Sequence, residues 1–122
     1  MTFKRSDRVA DLIKEEVASM ILFGGIKDPR IGFVTITHVD MTPDLKEARI
    51  YFSQLGGAKE RERSREGLNH ASGFIRRNLA RSLSLRHIPK ISFFFDDSLE
   101  YSERIEKVIK EIKEGEGEGE GS

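Results

Sequence analysis

Apolar residues recur every three to four positions between residues 68 and 81, and this spacing predicts a helix with one buried side. The apolar positions are Leu68, Ala71, Ile75 and Leu79. Gly73 interrupts the pattern, and a glycine inside a helix costs about 1 kcal/mol relative to alanine. A glycine in such a place is typical of a kink or of a close approach to the backbone. We therefore expect a broken helix here.

Helical spacing of apolar residues also marks both ends of the chain. The first helix is expected to begin at Ser6, whose hydroxyl can cap it, and to end at Gly24-Gly25. Its apolar positions are Val9, Leu12, Ile13, Val17, Met20 and Ile21. The last helix is expected to be capped by Asp97, with Glu100 in the capping-box position. Its apolar positions are Tyr101, Ile105, Val108, Ile109 and Ile112.

Three shorter stretches have the composition or the alternation of strands. Residues 33–39 are rich in β-branched side chains, and turn residues follow them at 41–44. The next two stretches alternate, with Ala48, Ile50 and Phe52 on one side of the second strand and Ile91, Phe93 and Phe95 on one side of the third. The first two strands are close along the chain and are predicted to pair antiparallel. Pro89 separates the broken helix from the third strand.

The order of elements is therefore helix, strand, strand, broken helix, strand, helix. A strand that is followed by a helix and another strand requires a crossover, so we expect a three-stranded mixed sheet with helices on one face. This places the chain in the α+β class. Its 122 residues suit a single domain, which we place at 1–113. The remaining residues, 114–122, alternate Gly and Glu before a final Ser, and we expect this tail to be disordered.

Charge is distributed unevenly along the chain, although the net charge is zero. Residues 59–90, here called the basic stretch, contain nine Lys and Arg against three Glu. Residues 91–122 contain four Lys and Arg against ten acidic residues. Because exposed charges are screened over about 8 Å, a local cluster matters more to a partner than the total does. The basic stretch predicts a surface that binds phosphates.

The candidate RNA-binding residues are the arginines of the broken helix and its surroundings. They are Arg76, Arg77, Arg81, Arg86, Arg30 and Arg8, with Arg5, Lys59, Arg61, Arg63 and Arg65 nearby. A solvated helix face explains such a charge run equally well, but acids are absent between residues 67 and 95, and a merely solubilising face usually mixes signs. Asp28-Pro29-Arg30 is better explained as a simple turn than as a phosphate contact. With no Trp and two Tyr, we do not expect an aromatic stacking platform.

The sequence offers little support for catalysis or a cofactor. Cysteine is absent, and the three histidines lack the spacing of metal ligands, so we expect no metal site. Asp96-Asp97-Ser98 is explained by a strand end followed by a helix cap. Neither a phosphate-binding loop nor a nucleophile elbow occurs. We also find no signal peptide and no run of about 20 apolar residues, and so expect a cytoplasmic protein.

Several separated segments together resemble the ribosome-binding factor A family. They are Arg8-Val9, Ile26-Lys27-Asp28-Pro29-Arg30, Val34-Thr35-Ile36-Thr37-His38-Val39, Asp44-Leu45, Ala48-Arg49-Ile50-Tyr51, Ala71-Ser72-Gly73-Phe74-Ile75-Arg76, Ile88-Pro89, Phe93, Asp96, Ser98 and Arg104-Ile105. The resemblance spans roughly positions 5 to 112. It implies a type II KH-like domain in which the kink Ala71-Ser72-Gly73 replaces the usual Gly-x-x-Gly loop.

The resemblance also implies a function. Such a protein would bind free small (30S) ribosomal subunits and their 16S rRNA, assist late maturation and processing of the 16S rRNA 5′ end, and support growth in the cold. Because nothing in the sequence requires an oligomer, we expect a monomer, without a small-molecule substrate or a membrane. Two alternatives remain: a generic KH-like module for single-stranded RNA, and a protein-interaction adaptor that docks through its acidic last helix and tail.

Overall fold

The computed structural model describes residues 5–98 together with Lys110 and Ile112. Its elements are α1 (Arg5–Leu22), β1 (Val34–Met41), β2 (Glu47–Gln54), α2 (Ala58–His70), α3 (Ser72–Ser82) and β3 (Lys90–Phe95). This order confirms the α+β class. Most of the predicted last helix, and the whole Gly/Glu tail, lie outside the described residues.

The three strands form one mixed sheet in the order β1-β2-β3. β1 and β2 pair antiparallel through the short connection at 42–46, as predicted from their proximity in the sequence. β2 and β3 pair in parallel, and α2 and α3 form the crossover between them. The sheet therefore has the predicted topology.

A β-bulge changes the pattern of side chains along β1. The pairing with β2 shifts between Ile36 and His38, so Thr37 is an extra residue in the strand. As a result Ile36 and Val39 both face the core although they are three positions apart. The strand begins at Val34, and Phe33, which was predicted to belong to the strand, is 99% exposed. That assignment of Phe33 was wrong.

The core lies between one face of the sheet and the helices. It contains the predicted positions of β2 and β3, except that Phe95 is only partly buried against it. It also contains the apolar side of the broken helix, of which Leu68, Ile75 and Leu79 are fully buried. α1 contributes Val9, Ala10, Ile13 and Val17. Leu12 was predicted as an apolar position of this helix, but its side of α1 faces solvent and it is 45% exposed. Burial of each large side chain stabilises the fold by roughly 1.5–3 kcal/mol.

The charged residues 59–66 belong to a helix rather than to a loop. α2 begins at Ala58, directly after Gly57. The backbone N–H of Gly57 donates to the Glu60 carboxylate at 3.0 Å, which satisfies a group that the helix itself leaves unpaired. Apolar periodicity does not reveal this part of α2, because most of its side chains are exposed and polar.

Two contacts fix the position of the junction between α2 and α3. The side chain of Asn69 bridges to β3: its Oδ1 accepts from the backbone N–H of Phe93 at 2.8 Å, and its Nδ2 donates to the Phe93 carbonyl at 3.4 Å. On the other side, Gly67 lies against the turn that precedes β1. A Cβ at Gly67 would come within 2.7 Å of Ile31 Cγ1. The junction is thus held between the sheet and the turn.

Candidate nucleic-acid interface

The helix break occurs at Ala71, which has φ −80° and ψ 0° and separates α2 from α3. Ala71 precedes the first residue of α3 and cannot cap it with a side chain, and no side-chain cap is present. The first N–H groups of a helix have no partner within that helix, and they lie at the positive end of its dipole. The start of α3 therefore directs the positive end of its dipole towards the break, which favours an anion such as a phosphate there.

Gly73 leaves the backbone at this helix start open. It is exposed, and a Cβ added there would meet only the Arg77 guanidinium within 4 Å, at 3.6 Å from Nη1. The fold itself therefore has room for a side chain at Gly73. A partner that approached this point would meet the backbone directly.

A groove of about 480 Å³ lies beside the break, and we call it the kink groove. Residues 25–28 form one of its walls, and the end of α2 and the start of α3 form the other. Lys27 and Arg77 contribute positive charge from opposite walls, and His70 and Phe74 also line it. The groove thus combines cationic side chains with the uncapped start of α3, and this combination suits a phosphate backbone.

The Arg30 side chain forms an ion pair with Asp28 within the turn that leads to β1. Its Nε and Nη2 donate to the two Asp28 carboxylate oxygens at 3.1 and 2.9 Å, and its backbone N–H donates to Oδ1 at 2.9 Å. These hydrogen bonds from Arg30 hold the pKa of Asp28 at about 2. Ser64 of α2 fastens the same turn, since its Oγ accepts from the Gly32 N–H at 3.0 Å. The geometry agrees with the simple turn that the sequence favoured.

The three arginines of α3 divide into two kinds. Arg76 donates from Nε to the Pro89 carbonyl at 3.1 Å and from Nη2 to the Ile88 carbonyl at 3.2 Å, so it holds the segment that leads into β3. Arg77 and Arg81 are exposed, and neither forms an ion pair with an acid among the described residues. Of the three, Arg77 and Arg81 are the two that a partner can reach without breaking contacts within the protein.

Arg86 and Arg8 lie towards the other end of α3. α1 packs against α3, and Arg86 follows α3 in the chain. Arg86 lines a second cavity, of about 380 Å³, together with Arg5 of α1. Arg8 is exposed and three positions after Arg5, hence on the same side of α1. The structure therefore groups the candidate residues at two ends of α3, which is roughly 15 Å long.

Fewer basic side chains of α2 are available to contact a phosphate than their number suggests. The Arg61 guanidinium stacks over the Phe95 ring at 4.4 Å from its centroid. Arg65 pairs with Glu62 through two hydrogen bonds of 3.1 and 3.2 Å. Lys59 and Arg63 are exposed. The positive surface of the basic stretch is accordingly weaker on α2 than on α3.

The local sequence pattern does not mark Lys27, His70 or Arg5 as groove or cavity residues. Each faces lining residues of another segment that is distant in the sequence, and local patterns carry no information about such contacts. Lys27 does lie in one of the segments that resemble the family. Within that segment the residue pattern indicates only the Asp-Pro-Arg turn.

The face of the sheet opposite to α1, α2 and α3 carries a row of rings that the sequence pattern does not predict. His38, Tyr51 and Phe94 come from three different strands, with ring centroids 6.0 Å apart for the first pair and 5.8 Å for the second. Acidic side chains accompany the row: the Asp40 carboxylate lies 2.8 Å from His38 Nε2, and Glu47 is exposed on the same side of β2 as Tyr51. The mixed charge makes this face a poorer surface for phosphates than the helices.

The described residues contain no cluster of three or more His, Asp or Glu side chains placed to hold a metal ion. Among the same residues, no helix has both the length and the apolar composition to cross a membrane.

The element order, the mixed sheet and the break between α2 and α3 define a type II KH-like α+β domain. The family model described as ribosome-binding factor A matches residues 5–109. A ribosome-binding factor A from Pelobacter propionicus is 49% identical over 109 residues, which are 89% of this chain and 88% of that protein. The chain belongs to the ribosome-binding factor A family, a family of ribosome-binding factors and not of enzymes.

Solved structures agree with this fold. The crystal structure of ribosome-binding factor A from Thermus thermophilus superposes with a TM-score of 0.62 at 21% identity, over 73% of this chain and 93% of that one. A homology model of the Thermus thermophilus factor, fitted into the cryo-EM map of a 30S–RbfA complex, gives a TM-score of 0.58 at 23% identity, over 72% and 91% of the two chains. At these identities the likeness supports the fold.

Proposed function

We propose that this protein binds the free small (30S) ribosomal subunit through its 16S rRNA and assists late maturation of that subunit, including processing of the rRNA 5′ end. The observation that carries the proposal is the uncapped start of α3 between the exposed cations Lys27 and Arg77. A related factor from Thermus thermophilus has been fitted into a 30S complex, which supports the choice of partner.

The proposed mechanism is one of binding alone. Phosphates of the rRNA contact the kink groove, where backbone donors and the two cations compensate their charge. A protein that binds one rRNA conformer more tightly than another increases the population of that conformer, and this requires no bond chemistry. Misfolded RNA helices escape more slowly at low temperature, so we expect the factor to matter most for growth in the cold.

The proposal extends to the organisation of the protein. One domain at 1–113 binds the rRNA as a monomer in the cytoplasm, with no cofactor, and residues 114–122 form a tail outside the domain. Five phosphate contacts, from Lys27, Arg77, Arg81, Arg86 and Arg8, would give a slope of log K against log salt between about −3.5 and −4.5.

Co-sedimentation with purified small subunits, large subunits and intact ribosomes tests the proposal, at two salt concentrations. The test variant is Arg77→Glu/Arg81→Glu, which spares Arg76 because Arg76 holds the segment before β3. The matched control is Lys59→Glu/Arg63→Glu, which changes the net charge equally at exposed positions near the start of α2. Both variants must show the circular dichroism and thermal unfolding of a folded protein.

We expect the wild-type protein to pellet only with free small subunits, and we expect the test variant to lose this binding while the control retains most of it. Equal pelleting with all particles, or equal affinity for short oligonucleotides, would favour the generic RNA-binding module. If the variant Arg77→Glu/Arg81→Glu still pelleted selectively with small subunits, the contact with the subunit would lie outside α3, as the adaptor alternative requires.

A further inference from the structure

The second cavity lies at the end of α3 opposite to the kink groove, and we call it the far cavity. It is enclosed by the start of α1, the β1–β2 connection and the segment between α3 and β3, with a volume of about 380 Å³. This is within the range of small-molecule sites, roughly 300–1,000 Å³. Its apolar lining residues are Val9, Met41, Leu45, Leu85 and Pro89.

Cationic side chains surround this apolar lining. Arg5, Lys46 and Arg86 contribute three positive charges, from three different segments of the chain, and His87 lies beside them. Asp44 is the one acidic residue among the described residues of the lining. Its carboxylate accepts hydrogen bonds from the Thr42 hydroxyl at 2.7 Å and from the Lys46 backbone N–H at 3.0 Å. The far cavity therefore has an apolar interior and a positive rim.

Hydrogen bonds hold the β1–β2 wall of the far cavity in place. Leu45 has a φ of +62°, a conformation that residues with a branched side chain adopt rarely. The connection maintains it: the Leu45 N–H donates to the Thr42 carbonyl at 2.9 Å, and the Lys90 N–H donates to the Lys46 carbonyl at 2.8 Å. This unusual backbone brings the Leu45 side chain into the lining.

The opposite wall is held by Arg76. Its guanidinium binds the carbonyls of Ile88 and Pro89, and Pro89 is a lining residue. Both walls are thus fixed by the fold before any ligand binds, and a preformed site loses less free energy on binding than one that must be ordered.

We propose that the far cavity binds one unpaired nucleotide of an RNA strand, with its base against the apolar lining and its phosphates at Arg5 and Arg86. This inference rests on the proposed function, since it assigns a second contact to the same RNA-binding surface. A nucleotide combines a flat, largely apolar base with an anionic phosphate, which is the combination that the lining and the rim complement. An acidic peptide, such as the Gly/Glu tail of this chain, supplies the charge but no group for the lining.

The location of the far cavity suits a single strand. α3 connects it to the kink groove over roughly 15 Å, and the exposed Arg81 lies in the last turn of α3 between them. Unpaired bases are the parts of RNA that proteins bind individually, because a base in a duplex is not accessible to such a cavity. The kink groove would then contact backbone, whereas the far cavity would require a base.

The test compares two short single-stranded RNA oligonucleotides, one intact and one with the same sugar-phosphate backbone but without bases. Their affinity ratio is measured for the wild-type protein and for two variants that fill the far cavity, Leu85→Trp and Met41→Trp. Both positions are half-buried and they lie in different segments, so a folding defect in one variant leaves the other usable. Leu55→Trp is the matched control, since Leu55 is 90% exposed after the opposite end of β2.

We expect the wild-type protein and the Leu55→Trp control to prefer the intact oligonucleotide by about tenfold or more, the value of one base contact. The preference should fall at least about threefold in Leu85→Trp and Met41→Trp. In Arg86→Gln both affinities should fall and the ratio should remain, because Arg86 would bind phosphate.

An unchanged ratio in both folded cavity-filling variants would overturn the inference, as would equal binding of the two oligonucleotides by the wild-type protein. Displacement of the intact oligonucleotide from the cavity by a Gly/Glu-repeat peptide at equal concentration would assign the far cavity to an acidic peptide and also overturn it. None of these results affects selective pelleting with small subunits, so failure of this inference is distinguishable from failure of the proposed function.

Discussion

Arginines that follow one another in the sequence have different partners in this fold. Arg76 and Arg77 are neighbours on α3, yet Arg76 donates two hydrogen bonds to carbonyls before β3 while Arg77 lines the kink groove. Arg30 likewise serves the turn at Asp28. A sequence shows that these residues are cationic, but the choice between a structural and a binding role depends on groups that are distant in the chain.

Replacement of these two neighbours should therefore separate stability from binding. Arg76→Gln is expected to lower the free energy of unfolding by about 1–2 kcal/mol, because two backbone carbonyls lose a charged donor and the bond to the Pro89 carbonyl is partly buried. Arg77→Gln should change it by less than about 0.5 kcal/mol, as is usual for an exposed side chain. Urea unfolding of the two variants and the wild-type protein measures both values. Equal losses would contradict the different roles of the two arginines.

The Asp28–Arg30 pair should make stability depend on pH. The hydrogen bonds from Arg30 lower the pKa of Asp28 to about 2 in the folded protein, whereas an unfolded aspartate has a pKa of about 3.9. A carboxylate with a lowered folded pKa stabilises the fold above its unfolded pKa, and the contribution is lost as the pH falls towards the folded pKa. This window extends from about pH 4 down to about pH 2.

Asp28→Asn removes the charge and nearly preserves the shape. Urea midpoints of this variant and of the wild-type protein should differ most near neutral pH, and the difference should shrink below about pH 4. Asp11→Asn, at an exposed position of α1, provides the control and should show little difference at any pH. A difference for Asp28→Asn that stays constant from about pH 7 to about pH 3 would exclude the ion pair as its cause.

At the scale of elements, the junction of α2 and α3 contains two glycines with opposite surroundings. Gly67 faces the turn before β1, where a Cβ would lie 2.7 Å from Ile31 Cγ1 and 3.3 Å from Arg30 Cβ. Gly73 faces open space apart from the flexible Arg77 side chain. The fold therefore needs glycine at position 67, and any need for glycine at position 73 must come from a partner.

Alanine at each position tests this distinction. Gly67→Ala is expected to destabilise the protein by about 1–3 kcal/mol, because the methyl group requires the turn to move. Gly73→Ala should leave stability unchanged or raise it by up to about 1 kcal/mol, since alanine favours a helix. The same change should weaken binding to small subunits, because the methyl group lies where a phosphate would approach the α3 start. Thermal unfolding and co-sedimentation separate the two effects, and full binding by Gly73→Ala would contradict a backbone contact at the kink.

Local patterns predicted much of the fold and only part of the site. Periodicity identified the buried sides of α3, β2 and β3 because each depends on residues a few positions apart. The bulge at Thr37 was not predictable from alternation, since it depends on pairing with β2. Gly67, Lys27 and the far cavity were missed for the same reason: each is defined by contacts with residues that are remote in the sequence.

At the scale of the whole molecule, positive and negative charge occupy different parts of the chain. The exposed cations of the candidate interface lie on α1, on α3 and beside them, whereas residues 91–122 contain ten acidic residues against four basic ones. Over a Debye length of about 8 Å, an acidic segment reduces the attraction of nearby surfaces for any RNA. Repulsion by the acidic segment would weaken RNA contacts in the kink groove and the far cavity less than it weakens non-specific attraction, because those contacts depend on geometry as well as on charge.

Removal of the tail after Glu114 should therefore raise affinity for unrelated RNA while selective binding to small subunits stays unchanged. The reason is electrostatic, so a variant that keeps all 122 residues, with Glu116, Glu118 and Glu120 changed to Gln, should behave like the truncated protein. Filter binding to an unrelated duplex RNA measures the first quantity, and co-sedimentation with small subunits measures the second. If the truncated protein bound unrelated RNA more tightly but the Gln variant did not, the tail would act through its length and not through its charge. If neither variant bound unrelated RNA more tightly than the wild-type protein, the acidic tail would not repel RNA.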